Sequence, residues 1–269
     1  MKPALTRAAR HLLVGIALWN AAPAVAGGDP PDAGELIAKV IAARQTTGYR
    51  VRARLVCTAS GAERRDVTQL LIKGRRDGEA SKVLYQSLWP KRSIGETLVI
   101  ERTADRNTRC WVFTPPDGVT LVTPEHLGSP FFGSDLTIED LAEEFWHWPT
   151  QKIVGEETLA EHRCQVLDSR PAAGTATSYA LVRTWIAPDL ALPLRIDKFG
   201  RDGRLIKRIT AENITRQKNN HWTAATVMVE PGDGRTRTAL EGEHSDRDIE
   251  IPDEDFTVEG IKAALRPKP

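Results

Sequence analysis

The sequence predicts a mainly β protein: a single antiparallel sheet curled into an unclosed β-barrel, with an N-terminal helix and a central helix set as a lid against its concave face. Three observations lead there. Short runs alternate apolar and polar residues with period two, hairpin-type turn signals recur between them, and one apolar insert at helical spacing interrupts the series. The 269 residues contain no Pro/Ser-rich linker, no repeat and no low-complexity block, so residues 27–269 are expected to form one domain.

The first 26 residues read as a secretory signal. Lys2, Arg7 and Arg10 form a basic start, residues 12–18 a short apolar core, and Ala24-Val25-Ala26 a small-residue cleavage site. The competing reading, a buried first helix, leaves the Ala-Val-Ala end unexplained. The apolar run falls far short of the ~20 residues that span a bilayer, and no later segment approaches that length. The first cysteine is Cys57, well beyond the cleavage site, so a lipid anchor is not expected. Together these features predict a soluble exported protein of the periplasm, cleaved after Ala26, and not an integral membrane protein.

The mature chain opens on a helix, started by Asp32 with Glu35 three residues on as a capping pair. Leu36, Ile37, Val40 and Ile41 share one face, and Gly48 is expected to end it. From Tyr49 the period becomes two. Tyr49, Val51, Ala53, Leu55 and Cys57 alternate with Arg50, Arg52 and Arg54, giving a half-buried strand with a wet arginine face. Ser60-Gly61, Asp77-Gly78, Asp117-Gly118, Asp202-Gly203 and Gly232-Asp233-Gly234 mark turns. Further strand-like runs lie at 67–73, 82–88, 97–102, 111–114, 152–156, 164–168, 180–186, 194–199, 205–214, 222–230 and 236–243. So many strands in one sheet must curl, split or close. Residues 137–146 form the central helix, capped by Ser134 or Asp135, with Glu139 and Asp140 in its first turn and Leu141, Phe145 and Trp148 as apolar positions. Residues 258–265 form a short terminal helix.

The formal charge is +1, and removing three basic residues with the signal leaves the mature chain at about −2. That argues against nucleic-acid binding, which needs a concentrated basic footprint. The distribution is uneven. Residues 49–109 carry 14 Lys/Arg against 7 Asp/Glu, whereas residues 230–259 carry 11 Asp/Glu against 3 Lys/Arg. Either the basic stretch is a docking face for an anionic membrane or acidic partner, or the first and last strands are neighbours that neutralise each other. The 3 cysteines allow one disulfide with a thiol left over, or three small buried apolar residues.

Three motifs follow in order: Trp111-Val112-Phe113-Thr114-Pro115, then Phe132-Gly133-Ser134-Asp135-Leu136-Thr137-Ile138-Glu139-Asp140-Leu141, then Trp185-Ile186-Ala187-Pro188-Asp189-Leu190-Ala191-Leu192-Pro193-Leu194-Arg195. A hairpin-like Phe199-Gly200-Arg201-Asp202-Gly203-Arg204-Leu205 comes next. In these residues the chain resembles the LolA-like family of outer-membrane lipoprotein-sorting proteins, and in particular its branch associated with RND/MMPL-type exporters, over about residues 84–260. It departs from that branch after Pro115, where residues 117–125 carry no basic side chain. The resemblance implies an unclosed barrel with helices lidding its mouth and an apolar cavity for acyl chains. It further implies, as partners, a lipid or lipidated protein and an inner-membrane exporter of RND/MMPL or ABC type.

The aromatic balance points the same way. Seven tryptophans stand against three tyrosines, a bias towards large apolar surface. Any one of them can serve a core, but a carrier needs them to form a concave apolar pocket. The ligand-binding set expected on this basis is Trp89, Trp111, Phe113, Phe131, Phe132, Phe145, Trp146, Trp148, Trp185, Leu194, Ile196 and Trp222. Burying an acyl chain contributes roughly 0.8 kcal/mol per methylene, enough to hold a long chain without a charged anchor.

Catalytic chemistry, metal and cofactor are not expected. Gly133-Ser134-Asp135 lacks the strand–G-x-S-x-G–helix context of a nucleophile elbow and reads as a helix cap. His126, His147 and His162 have no partner at ligand spacing, and Glu161-His162-Arg163-Cys164 reads as a turn before a buried strand cysteine. Glu143 and Glu144 are adjacent on a helix and point apart. The function expected is a periplasmic carrier that takes acyl chains of lipids or lipoproteins towards the outer membrane. The alternative is a regulatory module of the RseB/MucB type that senses lipid or lipoprotein.

Overall fold

The structure is a computed structural model describing residues 32–62, 65–216 and 221–266; the expected export signal lies outside them. Helix α1 (Ala33–Ala43) comes first. Strands β1 (Thr46–Ala59), β2 (Arg65–Asp77), β3 (Ala80–Trp89), β4 (Thr97–Arg102), β5 (Thr108–Thr114) and β6 (Gly118–Leu121) follow. An insert then carries helix α2 (Ile138–Ala142) between short 3-10 turns. After it come β7 (Thr150–Leu159), β8 (His162–Arg170), β9 (Leu181–Ala187), β10 (Leu192–Phe199), β11 (Leu205–Arg216), β12 (Trp222–Pro231), β13 (Thr236–Arg247) and the terminal helix α3 (Val258–Leu265).

All thirteen strands form one antiparallel sheet in the order β6-β5-β4-β3-β2-β1-β13-β12-β11-β10-β9-β8-β7. Its end strands, β6 and β7, do not pair with each other, so the barrel stays open. Its curl follows from what the insert touches. Strands β4 and β10 stand seven places apart in the sheet, roughly 34 Å if it were flat. Yet Ala142 accepts from Arg102 of β4 while Asp140, two residues earlier, accepts from Lys198 of β10.

Period two in β1 puts Ala53 and Leu55 into one apolar cluster with Leu70, Ile72, Val83, Leu98 and Ile100 of the next strands. The insert covers that concave face with Phe131, Leu136 and Ile138. Helix α1 and the end of the insert cover its other half, with Leu36, Ile37, Val40, Phe145, Trp146 and Trp148 against Leu167, Val182, Ile186 and Ile196. On the outer face α3 lays Ile261, with Phe256 beside it, over Leu84, Val99, Trp111 and Phe113.

Of the two readings of the charge asymmetry, the geometry is that of neighbouring strands. Arg50 pairs with Asp246 at 3.0 Å and Arg54 with Glu241 at 2.8 Å across β1 and β13. Lys73 meets Asp255 at 2.8 Å, and Arg75 and Lys82 both meet Asp253 at 2.7 Å. Exposed pairs of this kind contribute little to stability individually, but they pair the two charged stretches face to face. Cys57, Cys110 and Cys164 are all free thiols, so the single-disulfide reading is set aside. Burial pushes the Cys110 thiol up to about 12.

Three local expectations are corrected. Gly48 does not end α1: the helix closes at Ala43, where the amides of Arg44 and Gln45 donate to Ile41 and Ala42. Gly48 lies inside β1, and its carbonyl accepts from Ile249 at 3.2 Å. The central helix is one short turn followed by a left-handed residue, Glu143, and a 3-10 turn, in place of a continuous helix over 137–146. Its cap is Thr137, not Ser134 or Asp135, with Asp140 closing the capping box. Finally, β6 is a further strand that the sequence did not predict, only four residues long and exposed throughout. A short edge strand of this kind limits sheet-to-sheet association.

Gly48 has a packing reason to be glycine. A Cβ there would collide with the Ile249 carbonyl oxygen and lie 2.7 Å from Ile251 Cγ1. Gly48→Ala is expected to cost about 1–3 kcal/mol through this overpacking. Urea unfolding checks it, with a lowered midpoint and an unchanged slope.

Candidate functional site: a latched insert over the concave face

The insert combines an aromatic underside with a set of carboxylates that tie it to the sheet, to the loop before β9 and to the end of α1. Phe131 stands edge-on to Tyr85 of β3 at 5.3 Å and lies 4.6 Å from Phe132. Phe145 packs against Trp146 at 4.7 Å and edge-on to Trp148 at 6.5 Å. The left-handed conformation of Glu143, φ 52°, turns the chain after α2 and lets Phe145 and Trp146 return to the sheet.

Five acidic residues of the insert make the ties. Asp135 accepts from Thr236 at 2.5 Å and Thr238 at 2.7 Å, both on β13. Glu139 accepts from the Thr177 hydroxyl and from the Ser178 amide at 3.2 Å. Glu143 pairs with Arg44 at 2.7 Å, and Glu144 with Arg102 at 2.7 Å and Thr108 at 2.5 Å. Asp140 is the innermost. Its carboxylate accepts from Lys198 at 2.6 Å, Lys207 at 2.6 Å and the Tyr179 hydroxyl at 2.7 Å, and from the Thr137 amide at 2.8 Å. The side chains of Lys198 and Asp140 are 1% and 0% exposed, so this pair is out of water. Burial by itself would raise the Asp140 carboxyl. The two ammoniums outweigh burial and hold it well below the usual carboxylate range. Burial, then the charge of Asp140, push the Tyr179 phenol up.

The expected ligand-binding residues fall on both faces of the sheet. On the concave side Phe131 and Phe132 lie in one apolar cluster, and Phe145, Trp146, Trp148 and Ile196 in a second. Trp111 and Phe113 pack on the outer face under α3. Trp185, Leu194 and Trp222 share a separate cluster with Cys164 and Val166. Strand alternation sets Trp185 opposite to its concave-facing neighbour Ile186. Trp89 is 48% exposed beside the turn after β3. A crevice of about 420 Å³ opens beside the insert, between Cys110, Leu121 and Val122 on the sheet side and Leu127, Ala142 and Trp148 on the insert. That is within the size of small-molecule pockets.

Lys198, Lys207 and Tyr179 were not singled out from the sequence, and Asp140 was read only as a first-turn carboxylate. A signal was present. Lys198 is in phase with Ile196, and Lys207 with Leu205 and Ile209, so each lysine occupies a position the alternation assigns to apolar side chains. Among the described residues there is no group of three or more His, Cys, Asp or Glu placed to hold a metal, and no helix long and apolar enough to cross a membrane.

An open antiparallel half-barrel covered by a latched insert is the LolA-like fold. A DUF1329 family protein from Desulfovibrio piger superposes with TM-score 0.77 at 19% identity, over 85% of this chain and 97% of its own. A domain classed with outer membrane lipoprotein-sorting proteins, from Vibrio parahaemolyticus, gives 0.77 at 18% identity, over 86% of this chain and 100% of its own. A LolA superfamily protein from Nitrosomonas europaea gives 0.68 at 16% identity, over 86% and 100%. No curated protein matches the chain. A family model described as "-like: Uncharacterized protein" matches residues 79–263, more than half of the chain, and the chain belongs to that family.

Proposed function

We propose that this protein is a periplasmic carrier that binds the acyl chains of lipids or lipoproteins under the insert and conveys them towards the outer membrane. The observation that carries the reading is the underside of the insert. Phe131 and Phe132 over one part of the concave face, and Phe145, Trp146 and Trp148 over another, set aromatic rings against an apolar sheet, in a segment joined to that sheet by exchangeable polar ties. Lifting the insert converts that interface into two apolar walls that an acyl chain can fill, and the crevice beside Leu127 and Trp148 is a point of entry. Receipt from an inner-membrane exporter belongs to the same proposal, supported by the signal-like first 26 residues. The candidate lining narrows to the six residues on the concave side.

A fluorescent fatty-acid probe is expected to bind the mature protein saturably and to alter tryptophan emission. Phe132→Asp is the diagnostic variant. Phe132 is half-buried with a left-handed φ of 48°, a conformation Asp tolerates, so the substitution puts a charge in the lining without straining the backbone. It should weaken probe binding by about tenfold or more and shift the thermal midpoint little. A wild-type protein that fails to bind the probe removes the carrier reading.

A further inference from the structure

We propose that Lys198 and Lys207 form a head-group subsite on the concave face, which Asp140 fills in the closed form as an internal stand-in for an anionic amphiphile. The ligand class is an acyl chain bearing a phosphate or carboxylate. This inference rests on the carrier reading and narrows its ligand.

The arrangement around Asp140 is that of an anion site. Two ammoniums and a phenol converge on one carboxylate, at 2.6, 2.6 and 2.7 Å. All three donors belong to the sheet side, on β10, on β11 and just before β9, whereas the carboxylate belongs to the insert. When the insert lifts, the donors stay and their anion leaves. The walls around them are apolar, with Ile196, Ile209, Val182 and Phe145 in the same cluster. Two ammoniums cannot stay unpaired among such walls without a large desolvation penalty.

A neutral acyl ligand would fill the walls and leave both lysines without a partner. An amphiphile with an anionic head replaces the carboxylate that the insert withdraws. The charges also favour it, because two ammoniums face one carboxylate. A phosphate monoester, with a charge near −1.5 to −2, matches the pair better than Asp140 does. Lysine serves as a point-charge partner for phosphate, so a flexible pair suits a head group of variable placement.

Calorimetric titration of the mature full chain decides it, with lauroyl lysophosphatidate, monolauroylglycerol and inorganic phosphate as probes. The lysophosphatidate is expected to bind about tenfold or more tightly than the glyceride. Lys207→Met should erase that preference while leaving glyceride binding in place, and Asp140→Asn should strengthen lysophosphatidate binding by removing the internal competitor. The wild-type comparison stands by itself if either variant does not fold. Equal affinity for the two amphiphiles overturns the head-group subsite and leaves the acyl carrier intact. Binding of neither overturns both. Phosphate alone binding as tightly as the lysophosphatidate overturns the lipid assignment, because the site would then serve a soluble anion.

Discussion

Replacing Asp140 with alanine lowers the free energy of unfolding by about 3–5 kcal/mol, the usual consequence of removing one partner from a buried ionic cluster. The loss has three sources. Lys198 and Lys207 lose their shared carboxylate at positions that are 1% and 7% exposed. The Tyr179 hydroxyl loses its acceptor. The capping box of α2 opens, because the Thr137 amide donates to the same carboxylate. Asp140→Asn restores only the cap, worth about 1 kcal/mol, and should remain well below wild type. The acid limb of stability gives an independent reading. The folded carboxyl titrates below its ordinary value of 3.8, so its contribution is full above that pH and is lost as the pH falls below it. The alanine variant should lack this acid-dependent component. An unfolding free energy from urea titration within about 0.5 kcal/mol of wild type would show that Asp140 and the lysines are not coupled as their geometry requires.

Phe113→Ala should cost a comparable amount, about 3–5 kcal/mol, for a different reason. Phe113 is 0% exposed and sits on the outer face with Trp111, beneath Phe256 and Ile261. Truncation leaves a cavity between β5 and the terminal helix that rigid neighbours fill only in part. Because that face is separated from the insert by the thickness of the sheet, binding of a fatty-acid probe should survive in the fraction that remains folded. Phe113→Ala and Phe132→Asp therefore form a pair with opposite signatures, stability lost in one and binding lost in the other. If Phe113→Ala abolished binding at temperatures where it is folded, the assignment of faces would be wrong.

Much of the architecture is legible in local sequence. The alternation in residues 49–57, the recurring Asp-Gly turns and the helical spacing of Leu36, Ile37 and Val40 each report a local choice made within a few residues, and those elements are present. Strand β6 escaped because its Val119 and Leu121 alternate over only four residues, too short a run to stand out from a turn. The sequence overstates the length of the central helix because apolar spacing continues through Phe145, while the left-handed break at Glu143 is held by its pairing with Arg44. Spacing cannot report contacts of that kind.

The candidate site divides along the same line. Local sequence determined that an apolar insert with a helical start near Thr137 interrupts the strands, and that alternate strand positions share a face. It did not determine which face is concave, since period two is symmetric about the sheet, and so Trp111, Phe113 and Trp185 looked equivalent to Ile196. Nor could it pair Asp140 with Lys198 and Lys207, which lie 58 and 67 residues away. Only the curl of the sheet brings β10 and β11 beneath the insert. There, exclusion of water turns three ordinary charges into a cluster whose members must satisfy one another.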